Sequence, residues 1–168
     1  MMFLAEHFPL SRFAGYDISA EAVDWANAEA ARRGLANVRF TVQDAAALGE
    51  SEAFDAIFTF DAVHDQAHPA AVLKNIHRAL RPGGIYLMQD IGVHTAVDQN
   101  LDHPIAPLIY SISCMHCMTV SLAAGGAGLG AAWGVELAEE MVRAAGFERV
   151  EIHRLPHDLQ NAYFVLRK

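Results

Sequence analysis

Short hydrophobic runs alternate with longer segments in which apolar residues recur at helical spacing. Four runs predict strands: RFAGYDIS from Arg12, VRFTVQDA from Val38, FDAIFTFDAVHD from Phe54 and IYLMQDIG from Ile85. Between them, Ser19 can cap one helix and Pro69 can open another. Such alternation predicts a parallel sheet with right-handed crossovers, and the continuous apolar character predicts strands covered on both faces.

The alternation stops after Gly92, and the chain then shows neither the strand nor the helix period until VELAEEMVRAAGF predicts an amphipathic helix. ERVEIHRL and NAYFVLRK follow and predict a terminal antiparallel hairpin. Within the irregular part, the apolar stretch IYSISCMHCMTVSLA predicts a helix over a pocket. GGAGLGAAW, Gly125 to Trp133, has cofactor-loop spacing, but it follows a predicted helix rather than a strand, which favours a hinge or a rigid turn.

Composition limits the function classes further. The 168 residues, 53% hydrophobic and 19% charged, are typical of one globular domain. A formal charge of -8 without a basic run argues against nucleic acid as a direct partner. The N-terminal MMFLAEHFPLSR lacks a basic start and contains Glu6, His7 and Pro9, so it predicts neither a signal peptide nor a membrane span. With only two cysteines, a cytoplasmic protein that binds no membrane is the expectation.

The order of these elements resembles the class I S-adenosylmethionine-dependent methyltransferases. Leu80 to Gly84, which reads LRPGG, and the terminal hairpin carry most of the resemblance. FDAVHDQAHPAAVLKNIHRALRPGG and MHCMTVSLAAGGAGLGAAWG are similar to a bacterial subgroup with an N-terminal winged-helix segment. The resemblance implies an α/β fold, a doubly wound and mostly parallel Rossmann-like sheet with a C-terminal antiparallel hairpin.

The resemblance also implies a strand and a glycine-rich motif ahead of Arg12, which this sequence lacks. We therefore expect residues 1–168 to be a single partial methyltransferase domain of a longer enzyme, in which 98–132 is an inserted lid or substrate segment; a natural short form is the alternative. The strands at Arg12 and Phe54 would each lose a partner, so the chain is expected to fold poorly, to form a homodimer, or to pair these two strands directly.

Acidic residues at the strand ends are the expected cofactor ligands, and the resemblance implies S-adenosylmethionine as the cofactor. Asp17 would accept hydrogen bonds from the ribose, and Ile18 would flank the adenine; capping with Ser19 is the structural alternative for Asp17. Asp44 matches the residue that binds the adenine amino group, with Ala45 offering a backbone N–H. The alternative for Asp44 is a simple polar strand end.

Phe60 and Asp61 close the third strand, where the resemblance implies the methionine part of the cofactor. His64 follows and is the candidate general base, although it can equally shape the loop before Pro69. Asp61, His64, Asp65 and His68 are metal-ligand types, with Asp90 at the same sheet edge, but their setting in a loop favours no metal.

The substrate is expected to be a small or lipophilic molecule in an apolar pocket formed by the helix after Asp98. Tyr110, Met115 and His116 are its candidate lining residues, although a core position is the commoner outcome for such a histidine. Cys114 and Cys117 lack the context of a redox pair or a zinc site. An NAD-dependent oxidoreductase and a non-catalytic ligand-sensing module remain as alternative functions.

Overall fold

The computed structural model describes all 168 residues, Met1–Lys168. The chain divides into two compact units, Met1–Leu48 and Gly49–Lys168. The prediction that residues 1–168 form a single partial domain stays a prediction.

The first unit is one parallel strand pair with its crossover helix. In chain order its elements are α1 (Met2–His7), β1 (Phe13–Asp17), α2 (Ala20–Arg32), β2 (Val38–Val42) and a 3₁₀ turn (Ala45–Ala47). β1 and β2 are parallel, with Asp17 opposite Val42. Ser19 caps α2 as predicted, since its hydroxyl accepts a hydrogen bond from the Ala22 N–H at 3.2 Å.

The second unit contains four strands and the remaining helices. Its elements are β3 (Phe54–Phe60), α3 (Pro69–Ala79), β4 (Leu80–Ile91), a 3₁₀ turn (Val97–Asn100), α4 (Ala106–Ile112), a π-helical turn (Ser113–Cys117), α5 (Met118–Ala123), α6 (Val135–Ala144), β5 (Arg149–His153) and β6 (Asn161–Arg167). The sheet order is β3-β4-β6-β5, in which β3 and β4 are parallel and the other neighbours antiparallel. The predicted α/β fold and terminal hairpin are therefore confirmed.

The core of the second unit lies between this sheet and the apolar faces of α3 and α6. Its fully buried side chains include Leu73, Tyr86, Val142, Phe147 and Phe164. The Tyr86 and Phe147 rings pack with their centroids 5.7 Å apart. This packing fixes β4, and with it the carboxyl end of β4, where the polar residues of the candidate site lie.

The LRPGG stretch differs from the prediction. The sequence pattern predicts a strand that starts at Ile85, whereas α3 ends at Ala79 and Leu80 already begins β4. The Gly83 N–H donates to the Lys168 carbonyl, and the Lys168 N–H donates to the Gly84 carbonyl, each at 3.2 Å. These bonds to the end of the chain hold the proline-containing stretch extended, with a register shift in β3 between Phe54 and Ala56.

β3 is more exposed than the sequence pattern predicted. It pairs with β4 alone, as β1 pairs with β2 alone, so both are edge strands and the predicted direct pairing of the two is wrong. Phe58 and Phe60 of β3 are 38% and 61% exposed, which contradicts the expectation of strands covered on both faces. Poor folding and dimer formation stay predictions.

The inserted segment, residues 98–132, contains the predicted helix. α4, the π-helical turn and α5 form one continuous helix, Ala106–Ala123, which is long and apolar enough by length and composition to cross a membrane; 28% of this helix is buried. Core helices of soluble proteins share this length and composition, so the absence of a membrane partner stays a prediction.

The glycine stretch after this helix is a packed turn rather than an open hinge. Gly125, Gly128 and Gly130 have φ values of +71°, +62° and +71°, in the left-handed region. A Cβ on Gly126 would lie only 2.3 Å from the Cα of Ala67. Of the two alternatives left open by the sequence, the structure has the rigid turn.

Candidate functional site

Two neighbouring carboxylates lie at the carboxyl ends of β3 and β4. Asp61 follows β3 with a φ of +46°, a conformation that non-glycine residues seldom adopt. Gln89 holds it there, since the Gln89 carbonyl accepts from the Asp61 N–H and the Gln89 amide donates to the Asp61 carboxylate, both at 3.0 Å. Burial is the largest cause of the raised pKa of Asp61, opposed by the Gln89 hydrogen bond and reinforced by the charge of Asp90. Strain of this kind is concentrated at functional sites.

The second carboxylate, Asp90, forms the buried centre of the site. It is 0% exposed, and its Oδ1 accepts hydrogen bonds from three donors: His64 Nδ1 at 2.6 Å, Trp133 Nε1 at 3.0 Å and the Ile91 N–H at 2.8 Å. His64 is itself only 3% exposed. A buried carboxylate needs such partners, and here they also orient the imidazole.

The other ring nitrogen of His64 faces a second acid. His64 Nε2 lies 3.2 Å from Asp65 Oδ1, close enough for an ion pair, although the geometry makes no hydrogen bond. Burial opposes protonation of His64, but the hydrogen bond to Asp90 and the charges of Asp90, Asp65 and Asp61 outweigh it, so the pKa of His64 is raised above its usual value. His64 therefore holds its proton to a higher pH than an ordinary histidine.

Cys117 completes the surroundings of Asp65. Burial, and then the hydrogen bond to Asp65 and its charge, raise the pKa of the Cys117 thiol to about 11. The thiol is thus protonated near neutral pH and donates to Asp65, which is not the state of a reactive cysteine. Cys114 is exposed, and both cysteines are free.

Two groups of side chains in this cluster lie within 4.8 Å of one another and could hold a metal ion: His64, Asp65 and Cys117, and Asp61, His64 and Asp90. Two carboxylate oxygens, Asp65 Oδ1 and Asp90 Oδ2, are buried without a hydrogen-bond partner. Protonation of His64 would supply a positive charge beside both carboxylates. The expectation of no metal remains a prediction.

In the first unit, the two predicted cofactor ligands follow strand ends. Asp17 Oδ1 accepts from the Ser19 N–H at 2.8 Å, which is the capping role given above as its alternative. Asp44 Oδ1 accepts from the Ala46 N–H at 2.7 Å and starts the 3₁₀ turn that contains Ala45. Both acids are exposed, and Ile18 is 75% exposed. Each carboxylate thus has a local structural role and is open to a ligand.

The predicted substrate residues do not converge within the second unit. Met115 is 81% exposed, and His116 is exposed rather than in the core. Tyr110 is half-buried, and its hydroxyl accepts from Asn100 Nδ2 at 2.9 Å. The π-helical turn changes the directions in which the Met115 and His116 side chains point, and the period of a regular helix does not predict this change.

Trp133 is the site residue that sequence reasoning missed. It is 3% exposed and lies 43 positions from the carboxylate that it contacts. Its only sequence signal is a tryptophan directly after a glycine-rich turn, where its indole N–H would need a buried partner.

Comparison with known proteins gives the family. The sequence model of the family described as "Methyltransferase domain" matches residues 2–117. Among solved structures, an O-methyltransferase family protein from Burkholderia thailandensis has a TM-score of 0.74 at 16% identity, with 99% of this chain and 46% of that chain covered. PigF, solved with SAH, has a TM-score of 0.72 at 17% identity, with 99% and 46% covered.

A candidate O-methyltransferase from Nostoc punctiforme PCC 73102 has a TM-score of 0.74 at 23% identity, with 99% of this chain and 48% of that chain covered. At such identities these likenesses show the fold, and the chain spans about half the length of the solved structures that it matches. The family match itself extends over more than half of the chain and includes β1, β2, β3, β4 and the His64 loop. The chain belongs to the methyltransferase-domain family.

Proposed function

We propose that the chain is the C-terminal part of a longer S-adenosylmethionine-dependent enzyme that transfers a methyl group to a small or lipophilic acceptor. The family match supports methyl transfer. The observation that carries the proposal for this chain's own residues is the buried His64–Asp90 pair at the carboxyl end of the parallel strands, where α/β folds place their sites.

Each unit, taken by itself, carries residues whose chemistry fits one part of the cofactor. In the first unit, exposed Asp17 would accept from the ribose hydroxyls beside Ile18, and Asp44 with Ala45 would bind the adenine. In the second unit, Phe60, an aromatic side chain left 61% exposed at a strand end, and Asp61 would bind the methionine part. Exposed apolar side chains at strand ends are the kind of surface that a ligand covers. When bound, S-adenosylmethionine supplies an electrophilic methyl group.

In its neutral form, His64 would accept the proton of an acceptor hydroxyl at Nε2, because Nδ1 donates its proton to Asp90. Asp65 stands beside Nε2 in this structure, and its side chain is 34% exposed, so an acceptor hydroxyl would take its place. Asp90 keeps the imidazole in the required tautomer and stabilises the imidazolium that forms. A base of this kind serves an acceptor that must lose a proton, as a hydroxyl does.

The lipophilic class of the acceptor follows from the inserted segment. Its helix leaves Leu108, Ile112 and Met115 at 58%, 45% and 81% exposed, next in sequence to Tyr110 and His116. Apolar side chains exposed together on one helix form a surface that binds apolar ligands. A cytoplasmic homodimer without nucleic-acid partners completes the proposal.

Calorimetric titration of the full-length protein with S-adenosylmethionine, S-adenosylhomocysteine and NAD tests it. Binding of the first two, loss of affinity by about tenfold or more in Asp17→Asn, and no loss in the helix-surface control Asp24→Asn support the cofactor assignment. Binding of NAD alone would replace it with an oxidoreductase. Cofactor binding without turnover on any hydroxylated apolar acceptor would favour a ligand-sensing module.

A further inference from the structure

The loop that carries His64, residues 61–68, is held on one side by β4 and on another by the inserted segment. Ser121 Oγ donates to the Gln66 carbonyl at 3.0 Å, and the Ala127 N–H donates to the Ala67 carbonyl at 3.0 Å. Gly126 packs directly on Ala67, leaving no room for a Cβ. The glycine turn thus contacts the backbone of the loop that bears the candidate base.

The same part of the chain reaches two of the three carboxylates that face His64, Asp65 and Asp90. Cys117 binds Asp65, and Trp133 donates to Asp90, the partner of His64 Nδ1. The segment is anchored for this role by a buried apolar cluster in which Ile109, Cys117 and Ala131 pack on Ile91 and Val93. Ile91 directly follows Asp90, so the cluster fixes the distance between the segment and the carboxylate.

We propose that Trp133 is a positioning residue for the His64–Asp90 pair, and that the segment 98–133 sets the proton affinity of the base through it. This inference rests on the proposed function for its role in the reaction, but not for its geometry. The Trp133 N–H donates a hydrogen bond to Asp90 and stabilises its negative charge. Without this hydrogen bond, Asp90 would interact more strongly with His64. Asp61, Asp65 and Asp90 are the charged groups facing His64, and the protonated Cys117 faces Asp65.

A packing role for Trp133 would require only its ring, whereas a positioning role requires its N–H. Trp133→Phe removes the N–H and keeps an aromatic ring. Asp90 would then interact more strongly with the imidazolium, and the pKa of His64, measured from its NMR-detected ring nitrogens, should rise by about half a unit or more. Trp25→Phe is the matched control, because Trp25 is 67% exposed, lies in the first unit and is the only other tryptophan.

A measurement on the unmodified protein keeps the proposal testable if Trp133→Phe fails to fold. The indole N–H resonance of Trp133 should shift with pH at the midpoint of His64, whereas that of Trp25 should not. The proposal would be overturned if the Trp133 indole resonance did not shift at the His64 midpoint. It would also be overturned by a folded Trp133→Phe variant that has lower thermal stability but an unchanged pKa of His64.

The failure of methyl transfer would be recognised separately. If both NMR results hold while no cofactor binds, the positioning role stands and the proposed function falls. If cofactor binds and is turned over while both NMR results fail, the proposed function stands and Trp133 has only a packing role.

Discussion

Replacing Asp90 by asparagine tests whether the His64–Asp90 contact acts through charge. Asparagine has the same shape and keeps a carbonyl oxygen for Trp133 Nε1 and the Ile91 N–H, but it removes the negative charge beside His64 Nδ1. Because Asp90 is 0% exposed, solvent does not screen the change. The variant therefore isolates the electrostatic part of a 2.6 Å contact.

The size and sign of the effect follow from the burial of the pair. A hydrogen bond to a charged group contributes about 1.5–3 kcal/mol, and removing one partner of a buried ion pair costs about 3–5 kcal/mol. Asparagine retains the acceptor oxygen, so we expect a loss of about 2–3 kcal/mol in the free energy of unfolding when His64 is protonated.

The loss should depend on pH in a defined direction. The pKa of His64 is raised in the folded protein, so protonation stabilises the fold below the unfolded pKa, and this contribution is lost as the pH rises through the folded pKa. In Asp90→Asn the burial remains without the charge, so the pKa of His64 falls and protonation no longer stabilises the fold. The cost should therefore shrink from about pH 5.5 to about pH 8.5, by about 1.4 kcal/mol per unit of difference in folded pKa.

Urea unfolding at the two pH values measures the loss in free energy of unfolding. Glu136→Gln is the control, because its contact with a histidine is as short as that of Asp90 with His64. His94 Nδ1 lies 2.6 Å from Glu136 Oε1, but these side chains are 45% and 51% exposed, so the control should cost less than about 1 kcal/mol. The reasoning is refuted if Asp90→Asn costs no more than the control, or if its cost is the same at both pH values.

Two further predictions concern the hairpin and a tight turn. Hydrogen bonds from Tyr163 and then Asn161 lower the pKa of Asp158 to about 2, so ionised Asp158 stabilises the fold until the pH falls through that value. Tyr163→Phe should raise the pKa of Asp158, measured by ¹³C NMR of its carboxyl group. An unchanged pKa in this variant would contradict the assignment. Gly134→Ala would place a Cβ 2.2 Å from the Thr95 backbone nitrogen at a φ of +83°, and should lower the free energy of unfolding by at least about 1–2 kcal/mol. Thermal unfolding measures this against the control Gly49→Ala, whose Cβ would meet nothing within 4 Å. Equal unfolding midpoints of the two variants would contradict the prediction.

The alternating strands and helices could be predicted from sequence because each is set by local period and caps. Ser19 and Pro69 begin helices where their chemistry requires, and the terminal hairpin follows from two apolar runs. The end of α3 could not be predicted, because Leu80 to Gly84 is held extended by bonds to Lys168, which lies far along the chain. Local period carries no information about such long-range pairing.

The candidate site was predictable where its residues end strands and not where they meet across the fold. Asp17, Asp44, Asp61 and Asp90 all lie at or next to strand ends, and that position is visible in the sequence. The contact of Trp133 with Asp90 depends on a packed glycine turn that resembles a hinge in sequence. Glycine permits either outcome, and only the van der Waals contact of Gly126 with Ala67 decides between them.

All the charged groups that face His64 belong to Gly49–Lys168, as do Trp133 and Cys117. The residues proposed for the ribose and adenine, Asp17 and Asp44, belong instead to Met1–Leu48. The charges that set the proton affinity of His64 thus belong to one unit, and the carboxylates proposed for the nucleoside belong to the other. A substitution at Asp17 should therefore weaken cofactor binding without moving the His64 titration, and a substitution at Trp133 should do the reverse.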